Sequence, residues 1–143
     1  MIIQAKKADA PAVSALAAQL FSSPAEALAK EFSQLLESKE CAVFLLHIGG
    51  KPAGFAQCQL RRDYVEGTDS SPVGYLEGIY VLPEHRSQGC ARELLARCEQ
   101  WAREQGCTEF ASDCELDNDG SLAFHLKMGF TEANRIICFT KKM

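Results

Sequence analysis

Two stretches of this sequence combine residue types and spacings that suit chemistry. The first is Arg86-Ser87-Gln88-Gly89-Cys90-Ala91, set between an apolar run that ends near Val81 and a helical pattern that starts near Gly89. A strand that enters a helix through such a turn leaves backbone N–H groups unpaired at the helix start, where the helix dipole also favours negative charge. Gly89 permits close approach of the main chain to a ligand, Ala91 keeps the first turn uncrowded, and Arg86 adds a fixed positive charge. The turn therefore suits phosphate or pyrophosphate. Its pattern is short, and an ordinary helix-capping loop fits it as well. The second stretch is Glu77-Gly78, inside the strand that leads to the turn. Glycine removes packing and a buried glutamate is costly, so either a ligand lies against this strand or it is an edge strand with one wet face.

Elements must hold these residues in place. The opening IIQAKK reads as a short strand, after which Asp9 can cap a helix carrying Val13, Leu16, Ala17 and Leu20 on one face. Ser23-Pro24-Ala25-Glu26 has the form of a capping box, and Leu28, Phe32, Leu35 and Leu36 predict a second helix from Pro24 to about Glu37. Cys41 to Ile48, the turn Gly49-Gly50 and the return run Ala53 to Leu60 predict an antiparallel hairpin. A polar loop from Arg61 to Pro72 leads into the strand from Gly74 to Val81. Beyond the turn, Ala91, Leu94, Leu95, Cys98 and Trp101 share one helical face that ends before Gly106. Glu109 to Cys114 is a further strand, Asp119 or Gly120 opens a short helix that Gly129 ends, and Arg135 to Lys141 supplies a last strand. The fold class is α/β, a mixed central sheet flanked by helices, in a single domain over residues 1–143.

Composition narrows the function classes. The formal charge is −4, with Lys and Arg scattered rather than gathered in a stripe, which gives nucleic acid little hold and suits a cationic partner better. No apolar run approaches the roughly 18 residues of a membrane span, and MIIQAKKADAP lacks the order of a signal peptide, so the expected location is cytoplasmic. The seven cysteines are scattered singly without metal-ligand spacing and read as reduced apolar fillers. His47 and His85 have no partner spacing for a metal either and read as structural.

Arg86-x-x-Gly89-x-Ala91 after Ile79-Tyr80-Val81, followed by Asn118 and Gly129-Phe130, resembles the GNAT acyltransferases. The resemblance implies acetyl-CoA as co-substrate, its pyrophosphate on the N–H groups of Gln88, Gly89, Cys90 and Ala91 and its pantetheine arm along the backbone of Ile79, Tyr80 and Val81. Asn118 would contact the pantetheine or the departing thiol, and the backbone N–H of Ile79 would meet the thioester oxygen. A narrower and more specific likeness covers almost the whole chain. Tyr64 to Thr68, Ser71 to Val81, Cys107 to Asp113 and Asp117-Asn118 are similar to aminoglycoside 6'-N-acetyltransferases. That likeness implies acetyl transfer to the 6'-amine of kanamycin- or tobramycin-like drugs in a ternary complex, and a homodimer built partly through C-terminal strands.

Amide formation needs an uncharged amine, an oxyanion donor and a proton for the departing thiolate. Glu77 and Asp113, near the C-terminal ends of two strands that this fold makes neighbours, are candidates to attract a polycation and relay its proton, directly or through water. The bland alternative has Asp113 capping a loop and Glu77 facing solvent. His125 stands where many GNAT enzymes carry a tyrosine acid; a surface histidine, with water protonating the thiolate, is the alternative. Tyr64, Glu66 and Asp69 are candidate drug contacts, and Phe21 replaces a tryptophan that relatives often carry, which bears on substrate range. The rival functions are acetylation of another small amine or a protein N-terminus, and noncatalytic binding of coenzyme A or drug.

Overall fold

Two glycines at the centre of the hairpin carry the sign of backbone angle that a tight two-residue turn requires. Gly49 and Gly50 have φ of 59° and 76° and join β2 (Cys41–Ile48) to β3 (Lys51–Arg61). The computed structural model, which describes residues 1–143, places these strands inside a five-stranded sheet ordered β1-β2-β3-β4-β5. β1 is Ile2–Gln4, β4 is Val73–Val81 and β5 is Phe110–Ala111. Neighbours are antiparallel except β4 and β5, so the sheet is mixed.

Alternation along the strands builds a core on each face. Ala42, Phe44 and Leu46 of β2 pack with Leu94, Leu95, Cys98 and Trp101 of α3 (Cys90–Glu104). Val43, Leu45 and Phe55 point the other way, onto α1 (Ala10–Phe21) and α2 (Ala25–Leu35), where Val13, Leu16, Leu28 and Phe32 meet them. A fourth helix, α4 (Asp119–Lys127), follows β5.

β4 breaks its own alternation. Gln57 faces Gly78 and Cys58 faces Leu76, which leaves Glu77 as an extra residue, a β-bulge. Leu76 therefore joins the α3 core, and beyond the bulge Ile79 and Val81 do so too, while Tyr80 turns to the α1–α2 side. Against Gly78 lies the end of α1: an added Cβ would stand 2.9 Å from Phe21 Cζ and 3.2 Å from Leu20 Cδ2. So the gap left by Gly78 is filled by the protein itself.

β4 and β5 pair only at Gly74–Phe110 and Tyr75–Ala111. Past Tyr75, β4 is bonded to β3 alone, and the two parallel strands part into a wedge. Elsewhere the strands approach very closely. A Cβ on Gly54 would stand 2.7 Å from the Tyr80 carbonyl oxygen and 3.2 Å from Val81 Cα. Backbone cannot yield as a side-chain tip does, so Gly54→Ala is expected to cost about 1–3 kcal/mol in urea unfolding.

Local signals at three points played out differently. Asp9 stands at the N-cap position of α1 but its side chain caps nothing there; its carboxylate accepts from Lys6 N at 2.8 Å and closes a short 3-10 turn over Lys7–Asp9. The Ser23 capping box does not form: Pro24 holds the N-cap position and the Ser23 hydroxyl donates to Phe21 O at 3.3 Å. No strand forms from Arg135 to Lys141 either. Residues 131–143 are exposed and pair with no strand of the sheet, since the single chain offers them no strand partner.

Candidate active site

The turn before α3 is shaped by two left-handed residues, Ser87 at φ 62° and Gly89 at φ 84°. Gly89 is the N-cap of α3, and the first helical bond runs from Glu93 N–H to Gly89 O at 3.1 Å. The N–H groups of Cys90, Ala91 and Arg92 precede that bond and have no intrahelical acceptor. Nothing lies within 4 Å of where a Gly89 Cβ would be, so the face of the turn is open to a ligand. Arg86 ties the turn to β4: its Nε donates to Val81 O at 2.8 Å and its guanidinium stands 5.3 Å from the centroid of the Tyr80 ring. Tyr80 is held in turn by a 2.8 Å bond from its hydroxyl to Gln19 Oε1. Arg86, Gln88 and Gly89 are exposed, while Cys90 and Ala91 are half-buried. Anion-binding donors thus sit at the end of the β4 segment that has lost its β5 partner.

On the other side of the wedge, Asn118 caps α4. Its Oδ1 accepts from Ser121 N at 3.1 Å, so only its NH2 remains to donate to a ligand. His125 is engaged through both ring nitrogens: Nδ1 lies 2.7 Å from Ser121 O and Nε2 2.8 Å from Ser112 Oγ. A carbonyl oxygen can only accept, so Nδ1 carries the proton, and in the neutral ring Nε2 accepts from the Ser112 hydroxyl. Ser112 directly follows β5, which links His125 to the mouth of the wedge.

Glu77 and Asp113 are each held by one partner. Arg61 donates to Glu77 Oε1 from Nε at 3.2 Å and from a terminal nitrogen at 2.8 Å. The Tyr75 hydroxyl donates to Asp113 Oδ2. Burial first, then the bond to the Asp113 carboxylate, push the Tyr75 phenol well above the usual tyrosine range, so it stays a donor at any physiological pH. The Arg61 guanidinium carbon lies 3.4 Å from the Tyr75 ring centroid, completing the series Glu77, Arg61, Tyr75, Asp113. Neither carboxylate is simply solvated: Glu77 is held by Arg61, and Asp113 is bonded by a side chain of the neighbouring strand rather than only capping its loop.

Glu77 also lines a cleft of about 430 Å3 between α1, α2 and the sheet, together with Phe21, Glu31 and Gln57. Phe21 and Glu77 are therefore brought together. Tyr64 is 76% exposed and shares a second, polar depression with Arg61 and Arg62. The loop that carries it is anchored by Val65, which packs on Val73 and Tyr75. Glu66 lies instead against the C-terminal segment, accepting from Asn134 Nδ2 at 3.3 Å. Asp69 is exposed, and its N–H donates to Glu109 Oε1 at 2.9 Å.

Arg61, Tyr75, Glu31 and Gln57 escaped the sequence reading. Glu31 had a usable signal, an acid directly beside Phe32 on the helix whose buried residues are Leu28 and Phe32. Arg61 had none, since its meeting with Glu77 depends on the register of β3 against β4.

Cys58, Cys98 and Cys107 are buried fillers, but Cys114 and Cys138 are exposed and fill nothing. The Cys98 thiol is pushed up by its hydrogen bond with Cys58 and by burial, and burial raises Cys41 and Cys107, the opposite of what a thiolate nucleophile needs. No group of three or more His, Cys, Asp or Glu side chains is arranged to hold a metal ion.

Known proteins share this fold. The acetyltransferase (GNAT) family model matches residues 11–130. An aminoglycoside N(6')-acetyltransferase type 1 of Stenotrophomonas maltophilia is 43% identical over 139 residues, covering 96% of this chain and 90% of that one. Its counterpart from Acinetobacter haemolyticus is 44% identical, covering 80% of this chain and 79% of its own. The solved structure of AAC(6')-Iy with the bisubstrate analog CoA-S-monomethyl-acetylneamine superimposes with a TM-score of 0.95 at 37% identity, over 100% of this chain and 98% of that chain. The mixed, helix-flanked sheet expected from the sequence is the fold these proteins have.

Proposed function

Because the chain belongs to the GNAT acetyltransferase family, we propose that it transfers acetyl from acetyl-CoA to the 6'-amine of aminoglycoside antibiotics, directly, in a ternary complex, and so confers resistance. The observation that carries this reading is the pair of anchored carboxylates, Glu77 and Asp113, at the point where β4 parts from β5 beside the open anion-binding turn.

Acetyl-CoA supplies the activated acyl group. The N–H groups from Gln88 to Ala91 bind its pyrophosphate, with Arg86 adding charge, and the unpartnered edge of β4 from Ile79 through Tyr80 to Val81 pairs with its pantetheine arm. Glu77 and Asp113 take the ammonium groups of the drug, with Phe21 and Tyr64 against its sugar faces and Glu66 at the outer edge. A carboxylate, alone or through water, removes the proton that frees the amine lone pair. The Ile79 N–H meets the oxygen that becomes negative as the amine attacks. As the C–S bond breaks, the thiolate takes the Ser112 hydroxyl proton, which His125 replaces from Nε2 in its doubly protonated form, ending as the neutral Nδ1–H ring, with Asn118 NH2 holding the sulfur end of the arm. Water is the alternative donor.

The chain acts as one domain, in the cytoplasm, as a homodimer. No helix is long and apolar enough to cross a membrane. The dimer reading rests on the C-terminal segment, where Ile136, Ile137 and Phe139 are 70%, 80% and 87% exposed. β5 leaves an open sheet edge that a second copy's segment suits. Replacing both Ile137 and Phe139 by Asp is expected to shift the protein to monomer in sedimentation equilibrium.

Thiol release from acetyl-CoA, followed with kanamycin, tobramycin, small polyamines and a peptide N-terminus, tests the function. Drug-dependent release is expected. Turnover of the peptide or polyamine alone, or binding of both ligands without turnover, would replace this reading with one of its rivals.

A further inference from the structure

Arg61 is a cation placed inside a site that is to receive a cation, an arrangement that works only if the arginine leaves room. Both of its donors close on the same atom, Glu77 Oε1, at 3.2 and 2.8 Å. Oε2 takes no part in that fork. Likewise Tyr75 occupies Oδ2 of Asp113 and not Oδ1. Each carboxylate is thus turned by one oxygen with the other left for a ligand.

The two halves of this arrangement meet in one planar group. The edge of the guanidinium grips Glu77, and its face covers the Tyr75 ring at 3.4 Å. Sheet register makes this possible: Arg61 is opposite Val73 and Tyr75 is opposite Gln59, so the two are diagonal neighbours on one face, and Glu77, two residues beyond Tyr75, shares that face by strand alternation. Only a flat, forked cation can hold a carboxylate and stack on a ring at once; an ammonium can do either, not both.

We propose that Arg61 is the positioning residue of the acceptor site, fixing Glu77 through its edge and the Tyr75–Asp113 pair through its face, so that a polycationic amine is received on Glu77 Oε2 and Asp113 Oδ1. This rests on the reading of the acceptor as a polyamine drug. Arg61 touches neither the drug nor the cofactor, and its effect belongs in the KM for the acceptor.

Arg61→Gln and Arg61→Lys, assayed by thiol release with kanamycin and with acetyl-CoA varied separately, test the proposal. Arg61→Gln is expected to raise the KM for kanamycin roughly tenfold, the scale of one charge-assisted hydrogen bond, and to leave the KM for acetyl-CoA within about twofold. Arg61→Lys is expected to restore little. Tyr75→Phe combined with Arg61→Gln should cost much less than the product of the single effects, since both act on Asp113 through one contact. An unchanged or lowered KM for kanamycin in Arg61→Gln, which would make Arg61 a competitor of the drug, would overturn the proposal. So would full rescue by lysine. A wild-type protein without kanamycin turnover refutes the function; an active wild type with an unaffected Arg61→Gln refutes only this inference. Urea unfolding of each variant separates a site effect from lost folding.

Discussion

Glu77→Gln is expected to lower kcat/KM for kanamycin by roughly a hundredfold while leaving the KM for acetyl-CoA within about twofold. The substitution keeps the shape of the side chain and removes its charge. In the cleft beside Phe21 and Glu31, the carboxylate is both an anchor for an ammonium and one of two groups able to accept its proton. Losing a charge-assisted contact of about 1.5–3 kcal/mol accounts for a factor of about 10 to 100, and loss of the proton acceptor adds to it. The fold should survive, since the partly exposed Arg61–Glu77 pair contributes at most about 1 kcal/mol. Paired initial-rate measurements and urea unfolding check both halves. Equal loss toward drug and cofactor would mean that Glu77 shapes the wedge rather than receives the amine.

The complementary variant, Gly89→Val, is expected to raise the KM for acetyl-CoA by about a hundredfold with kanamycin binding unchanged. Two costs combine. A β-branched residue at the 84° φ of Gly89 is strained by about 1–3 kcal/mol, and the isopropyl group would stand in front of the N–H groups that receive the pyrophosphate. Because no protein atom lies within 4 Å of the new Cβ, nothing in the core is disturbed and the loss appears in cofactor affinity. Titration of coenzyme A by calorimetry, with and without the substitution, measures it. Unaltered affinity would move the pyrophosphate off this turn.

These two residues also mark what the sequence made legible. Gly89 sits in a contiguous strand, turn and helix, a local pattern whose geometry depends on few distant contacts, and the helix starts where the pattern predicts, with an open N-cap that the structure shows to be left-handed. Glu77-Gly78 was conspicuous as a poor strand interior, yet its physical reason was hidden. The bulge is a property of β3 and β4 together, and Gly78 makes room for the end of α1. Arg61 and Glu77 are 16 residues apart, and only the pairing register of β3 with β4 brings them into contact. The same dependence on partners explains the C-terminal segment. Ile136-Ile137-Cys138-Phe139 has strand propensity, but a strand needs a neighbour, and the single chain has none to give. β5 is short for the opposite reason: Ser112 and Asp113 leave the ladder and bond to His125 and Tyr75 at the site.

The central claim is that this wedge delivers acetyl to one particular amine of an aminoglycoside. The most direct measurement is NMR of the product formed from acetyl-CoA labelled with carbon-13 in its acetyl group, incubated with kanamycin and the purified protein. Label confined to the nitrogen at position 6' is the expected result. Label on any other amine, or unlabelled drug beside intact acetyl-CoA, would contradict it.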